Sequence, residues 1–461
     1  MSVKYHKIAC LLFLFLQTGF VLGQDISMPG IPQISKPEQQ QIKSYGTTTI
    51  VPTTKVANQI LTRAYCSGDQ NRQQQQTQNL INEADRDIKL QQIRERRAKA
   101  EADQIPSRPN FNLPSFSKNP GTEYYRNVYE KMLTLNVEAY SIKDVNFDIE
   151  NAYFDNKKDR TEFDKIIKQT GKFLISKMKE LNYDTNSNTA KNFMLFQYFS
   201  ETMQLKGSNI KHQSLKYDFD DYRGAKDWSK MFVTKLINTG KGQCHSMPLL
   251  YLTIAEEIGA EAYLAVCPEH SYIRFQDDRK GKWFNIELTN GMFSTTSFIL
   301  NSGYIKAEAM QNKIYMQNHS KKELLSRFYS DLANGYIHKF GYDEFVAQAI
   351  DKALELYPNN ISAQMIKSNY LTERLAYALH VLKINPNNKE ELQKISQFPE
   401  VVALLKNRNL QYKAIDDLGY EQMPAGAYEK WLGSLKEEKN KQDNETFKKQ
   451  FKGLVIKKTK D

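Results

Sequence analysis

Three residues in the middle of the chain have the types that thiol catalysis requires. They are Cys244, His270 and Glu287, in that order along the sequence. A cysteine catalyst needs a thiolate, an imidazole that exchanges a proton with it, and a carboxylate or amide that orients the imidazole. We therefore predict Cys244 as the nucleophile, His270 as the base and Glu287 as the orienting acid.

The residues after Cys244 predict a buried helix that starts at the cysteine. Beyond the turn-forming residues 238–242, apolar side chains recur at helical spacing up to Gly259; they are Met247, Leu250, Tyr251, Ile254 and Ile258. Unpaired backbone N–H groups and the helix dipole at such a start favour a negative charge. The position therefore favours the thiolate form of Cys244.

A predicted antiparallel hairpin positions the histidine and the acid. Three segments have strand patterns, at residues 261–267, 270–275 and 282–288. If Phe275 faces Lys282 across the last two, one face of the hairpin is largely apolar, and His270 lies directly opposite Glu287 on the other face. We predict a hairpin in that register.

These motifs resemble the transglutaminase-like core, a papain-related family, in its bacterial form. The matching positions are Gly242-Gln243-Cys244, Ser246, Leu250, Tyr251, Leu252, Ala255, Gly259, Pro268, His270-Ser271-Tyr272 and Trp283-Phe284-Asn285-Ile286-Glu287. The resemblance implies an α+β fold, with helices packed on an antiparallel sheet, and a thioester on Cys244 as the reaction intermediate. Backbone N–H groups at the start of the Cys244 helix would stabilise the oxyanion.

The resemblance leaves the orienting residue open and suggests where substrate binds. The family usually has aspartate where this chain has Glu287, which is one methylene longer; Asn285, on the same face of the strand, is the alternative. As substrate-binding residues we single out His245, Trp283 and Asn285. The calcium loops of animal transglutaminases are not recognisable, so the resemblance implies a metal-independent protease or amidase. We assign no metal ligand and no cofactor, and we expect a protein or peptide substrate.

The same residues allow three other interpretations. Cys244 and Cys267 could pair as a disulfide in an exported protein. Together with His245 and His270 they could bind zinc, although consecutive residues of a helix diverge by about 100°. The core could also have kept its shape without activity, in a non-catalytic binding or scaffold protein.

A helical region with repeated turns follows the predicted core. Small and large apolar residues between 332 and 354 are spaced as in two interlocking antiparallel helices, and the turn Pro358-Asn359-Asn360 follows them. The same three residues recur at Pro386-Asn387-Asn388. The pattern resembles tetratricopeptide repeats. It predicts an all-α helical-repeat region that packs on the core or holds a peptide partner.

Composition and patterning divide the chain into five parts. Its 461 residues, 40% hydrophobic and 25% charged, fit a globular protein of two or three domains and exclude a collagen-like or wholly disordered chain. We predict a signal peptide, a Gln-rich and mostly disordered leader, a transglutaminase-like domain with a helical lead-in, a tetratricopeptide-like region and a charged tail, at residues 1–23, 24–118, 119–310, 311–435 and 436–461.

The N-terminal segment predicts export. An apolar stretch at residues 8–23 follows Lys4 and Lys7 and has the form of a secretory signal rather than a membrane span. We expect a secreted or periplasmic protein with no integral membrane segment after signal removal. The net charge of +11 is spread along the chain, and the lysine-rich tail has too few aromatic side chains to predict a nucleic-acid partner.

Overall fold

Four helices form the first part of the described chain. The computed structural model describes residues 109–300, 303–441, 451, 455 and 456, so the predicted signal peptide and most of the predicted leader lie outside the described residues. The helices are α1 (Thr122–Leu133), α2 (Ile142–Tyr153), α3 (Arg160–Glu180) and α4 (Asn188–Ser200). The last three begin at Ser141, Asp159 and Ser187, whose side chains accept hydrogen bonds from first-turn N–H groups. All four helices lie within residues 119–310, the part of the chain for which a helical lead-in is predicted.

Short strands and one helix lead from these helices to the cysteine. The antiparallel pair is β1 (Met203–Gln204) and β2 (Lys211–His212), and the parallel pair is β3 (Lys216–Tyr217) and β4 (Lys241–Gly242). Helix α5 (Val233–Thr239) lies between β3 and β4 in the sequence. The carboxylate of Glu150 in α2 accepts hydrogen bonds from the N–H groups of Val233 and Thr234, at 2.6 and 2.9 Å. Helix α2 therefore fixes the start of the segment that ends at Cys244.

A buried helix and a four-stranded sheet make the centre of the molecule. The helix is α6 (Ser246–Ile258), and the antiparallel sheet has the order β5 (Tyr263–Cys267), β6 (His270–Gln276), β7 (Trp283–Glu287) and β8 (Met292–Ser294). Helix α6 contacts α3 and α4 as well as β5 and β6. This mixture of helices and a separate antiparallel sheet confirms the α+β class.

The β6–β7 register differs from the predicted one by two residues. Arg274 pairs with Asn285 and Phe275 with Phe284, whereas the sequence placed Lys282 opposite Phe275. The reason is a tighter loop: the Asp277 N–H donates to the Lys282 carbonyl at 3.0 Å, so the strands stay paired for longer. Because a shift of two residues keeps each side chain on its face, the predicted apolar face survives.

The remainder of the described chain is helical. Two short helices, α7 (Thr296–Leu300) and α8 (Ala307–Gln311), precede α9 (Lys321–Phe340), α10 (Glu344–Leu356), α11 (Ile361–Val381), α12 (Lys389–Gln393), α13 (Pro399–Asp417) and α14 (Ala425–Lys441). The two predicted Pro-Asn-Asn turns lie between helices. Their last residues, Asn360 and Asn388, accept hydrogen bonds from the first turns of α11 and α12. These asparagines therefore act as helix N-caps.

The C-terminal helices pack on the rest of the molecule instead of standing apart as an array. The Tyr125 hydroxyl of α1 donates to the Gly335 carbonyl of α9 at 3.1 Å, and its ring meets Tyr336 edge-on. The end of the predicted leader joins them: Phe111 is buried, and the Phe116 N–H donates to Asp343 at 2.9 Å. Within the described ranges, no helix has the length and apolar character to cross a lipid bilayer.

Candidate functional site

Cys244 lies in a tight connection between β4 and α6. The helix proper begins two residues after it, at Ser246, but the Met247 N–H donates to the Gln243 carbonyl at 3.0 Å and so extends the helical hydrogen bonding over the cysteine. The Ser246 hydroxyl accepts from the Gln243 N–H at 3.0 Å. A Cβ on Gly242 would approach that hydroxyl to 2.8 Å, so this close turn requires glycine.

His270 and Glu287 form a buried pair at the end of the sheet. The imidazole Nε2 and the carboxylate Oε2 are 2.6 Å apart, and Oε1 accepts from the Thr289 N–H at 2.9 Å. The side chains of both residues are nearly inaccessible to solvent. Glu287 thus makes the contact predicted for the orienting acid, but it does so diagonally across the hairpin because of the shifted register.

The thiol of Cys244 lies against the same imidazole. Its Sγ is 3.9 Å from the carbonyl oxygen of Glu269, the residue before His270. Burial alone lowers the pKa of His270, but the Glu287 carboxylate and the neighbouring Cys244 thiol outweigh burial and raise it to about 10. With Nε2 held by Glu287, Nδ1 is the ring nitrogen left for exchange with sulfur, and it makes no hydrogen bond among the described residues. The structure therefore brings the three predicted catalytic residues together.

His245 does not lie at the mouth of the site, where the sequence analysis placed a substrate contact. Its imidazole points into the interior, with Nε2 3.6 Å from Asp331 Oδ2 of α9. These two residues, with Arg327 of α9 and Ser271 of β6, line a cavity of about 10 Å³, enough for about one water molecule. Burial, with a contribution from Arg327, lowers the pKa of His245 to about 3; burial raises that of Asp331 to about 7.

The other two predicted substrate residues are not at the thiol either. Trp283 pairs with Gln276 at the far end of β6 from His270, roughly 20 Å along the strand at about 3.4 Å per residue. The Asn285 amide oxygen accepts a hydrogen bond from Arg274 Nε at 3.1 Å, so the amide links β7 to β6 and does not contact the thiol. The contact with His270 belongs to Glu287, not to the alternative Asn285.

Two aromatic residues that the sequence analysis did not select cover the site. The Tyr428 hydroxyl of α14 is 3.7 Å from Cys244 Sγ, and the Trp431 ring meets the His270 ring edge-on at a centroid distance of 4.7 Å. The spacing of Tyr428, Trp431 and Leu432, near the end of the predicted helical region at residues 311–435, indicates one apolar face of a helix. The spacing predicts that this face is buried, but it does not predict which part of the fold packs against it.

Two of the alternative interpretations have clear outcomes. Cys244 and Cys267 are both free thiols, and Cys267 is a wholly buried strand residue. In the part of the chain that the structure describes, no group of three or more histidine, cysteine or acidic side chains is arranged to hold a metal ion. Comparisons with protein-family models, with curated proteins and with solved structures find no match to the chain.

Proposed function

We propose that this protein is a transglutaminase-like cysteine enzyme that cleaves or transfers acyl groups at a carboxamide or peptide bond. The observation that carries the proposal is the convergence of Cys244, His270 and Glu287 from a helix start and two strands. The raised pKa of His270, about 10, keeps the imidazole protonated at neutral pH. An imidazolium beside the sulfur stabilises the thiolate, which is the nucleophilic form.

The chemistry proceeds in two halves. The thiolate of Cys244 attacks the carbonyl carbon, and the C–N bond breaks as the His270 imidazolium gives its proton to the leaving nitrogen. The acyl group remains on sulfur as a thioester. Water or an amine then gives a proton back to His270 and attacks the thioester carbon, which breaks the C–S bond and restores the thiolate. Glu287 holds the imidazole in one orientation through both halves.

A binding or scaffold protein with an inactive core is the second candidate function, with the C-terminal helices as its peptide-binding part. The burial of the site favours it: Cys244 is 4% exposed, His270 1% and Glu287 3%. Alkylation by iodoacetamide at pH 6 to 7 separates the two candidates. A labelling rate of Cys244 that falls in His270→Ala supports the enzyme, whereas a rate that this substitution leaves unchanged supports the binding protein.

Turnover can be tested without knowing the substrate. The purified chain is incubated with a mixed peptide library in the presence and absence of hydroxylamine, and the products are analysed by mass spectrometry. We expect new peptide termini or deamidated side chains, and hydroxamates when hydroxylamine intercepts the thioester. Cys244→Ala and His270→Ala should abolish all three products; equal products from Cys244→Ala would exclude the thioester mechanism.

We also propose that the protein acts outside the cytoplasm, on the basis of the predicted signal peptide at residues 1–23. N-terminal sequencing of the protein recovered from the extracytoplasmic fraction should give Gln24 as the first residue. Recovery of the uncleaved chain from the cytoplasmic fraction would contradict this proposal.

A further inference from the structure

We propose that helix α14 is an internal cover over the Cys244 site, which must lift before a substrate reaches the sulfur. This inference rests on the proposed function, because it concerns the regulation of the same thiol. Helix α14 contributes two aromatic side chains to the site, Tyr428 against Cys244 and Trp431 against His270. A carbonyl carbon approaching Sγ would need the space that the Tyr428 hydroxyl now fills.

One face of α14 makes the closed contact. Tyr428, Trp431 and Leu432 are 2%, 7% and 6% exposed, and their spacing of three and four residues places them on a single stripe of the helix. Burial raises the pKa of Tyr428 well above its usual range, so its hydroxyl keeps its proton and can donate to sulfur. The cover thus combines apolar burial with a hydrogen bond to the reactive atom.

Among the residues that the structure describes, few polar contacts hold the helix from the side. The Tyr222 hydroxyl donates to Glu429 Oε1 at 3.2 Å, and the Tyr217 and Tyr428 hydroxyls are 3.5 Å apart. The Arg223 guanidinium lies 5.8 Å from the centre of the Tyr428 ring. All of these partners come from residues 217–223, a short segment on one side of the site.

The closed state also carries features that weaken it. The indole N–H of Trp431 is buried, and no acceptor for it lies within the described residues. Gly433 is on the exposed face of α14, with open space where a side chain would extend. Glycine inside a helix lowers helix stability relative to alanine. The open space at Gly433 gives no steric reason for a glycine there. A cover that must open is expected to have such weak points.

The chain is anchored on both sides of the helix. Before it, Met423 is buried; after it, Phe451 stacks on Phe193 with ring centroids 4.9 Å apart. Both anchors lie in the same core as α4 and the sheet. Helix α14 can therefore unfold locally and leave the thiol while its flanks stay in place.

The test compares the alkylation rate of Cys244 in the full-length protein with two opposite substitutions. Gly433→Ala stabilises the helix without adding a contact to the site, and should slow labelling about fivefold, which corresponds to about 1 kcal/mol of helix propensity. Leu432→Ala removes a buried side chain that holds the cover, and should speed labelling at least tenfold. The alkylated residue is identified by peptide mapping.

Matched controls are available elsewhere in the chain. Gly281→Ala changes a glycine with open space around it in the β6–β7 loop, and Leu410→Ala changes a leucine that is 53% exposed on α13. Both should leave the labelling rate of Cys244 unchanged. Hydrogen exchange of the amides in α14 reports the opening of the helix independently of the thiol.

The outcomes separate the cover from the proposed function. If exchange in α14 changes in Gly433→Ala and Leu432→Ala while Cys244 labels at the wild-type rate, the cover is excluded. If labelling follows exchange but Leu432→Ala still processes no peptide, the cover stands and the proposed enzyme fails. If labelling and peptide processing both rise in Leu432→Ala, both are supported.

Discussion

Glu287 reaches His270 along a diagonal of the hairpin, and the length of the glutamate side chain permits this contact. In the observed register the residue that continues the pairing opposite Glu287 is Tyr272, two residues beyond His270. Diagonal neighbours in an antiparallel pair are about 7–8 Å apart at the backbone, within reach of long side chains. The glutamate side chain, which is one methylene longer than that of aspartate, thus spans the offset.

At this residue scale we predict that Glu287→Gln lowers the pKa of His270. Loss of the carboxylate removes the main charge that opposes the effect of burial on the imidazole. NMR titration of the imidazole resonance should show the midpoint falling clearly below the wild-type value of about 10.

Asn285→Ala is the control for this titration. Its amide contacts Arg274 and not His270, so the midpoint should stay near the wild-type value. Glu287→Asp, which keeps the charge but shortens the side chain, should give an intermediate value. An unchanged midpoint in Glu287→Gln would show that this carboxylate does not hold the imidazolium.

At the scale of elements, the connection from β4 to α6 depends on close packing at Gly242. Its hydrogen atom faces Ser246 Oγ and the side chain of Leu236, and a methyl group there would lie 2.8 and 3.0 Å from them. The same Ser246 hydroxyl accepts the Gln243 N–H that shapes the turn beside Cys244. The glycine thus permits α5, β4 and α6 to meet directly before Cys244.

We predict that Gly242→Ala destabilises the protein by about 1–3 kcal/mol, the range for overpacking a buried site. Urea denaturation followed by circular dichroism measures the change in the free energy of unfolding. Gly281→Ala, in open space within a loop, should change the free energy by less than about 1 kcal/mol. Equal stability of Gly242→Ala and wild type would show that the turn has room to relax.

At the scale of the whole molecule, the buried ion pair links stability to pH. His270 has a pKa of about 10 in the folded protein, whereas an unfolded histidine titrates near 6.5. A group whose pKa is raised by folding contributes its full stabilisation below the unfolded value, and this contribution is lost as the pH rises to the folded value. The window for His270 is therefore pH 6.5 to about 10.

We predict that the free energy of unfolding falls between pH 7 and pH 10. The unfolding equilibrium constant should rise by up to about tenfold for each pH unit. Urea titrations at pH 7, 8, 9 and 10 measure the slope. His270→Gln lacks the titrating group, so its slope over the same range should be smaller. Parallel slopes for the two proteins would assign the pH dependence to other groups.

Local patterns predicted the elements of the site, but contacts from distant parts of the chain decided its details. The apolar spacing after Cys244 predicted α6, and alternation predicted β5, β6 and β7 to within two residues at each end. The register depends on the loop geometry at Asp277, which alternation does not reveal. His245 points inward, toward a cavity that Asp331 and Arg327 of α9 also line. The spacing of residues in one helix cannot predict this contact with a distant helix.

The anchoring of both flanks of α14, by Met423 and by Phe451, has a kinetic consequence. Because the helix remains part of the same chain, reclosure is unimolecular, and the local effective molarity of Tyr428 and Trp431 stays high after each opening. Dilution of the protein should leave the gating rate unchanged. A ligand that competes with α14 would keep the thiol uncovered only if its concentration, relative to its dissociation constant, outweighed this effective molarity.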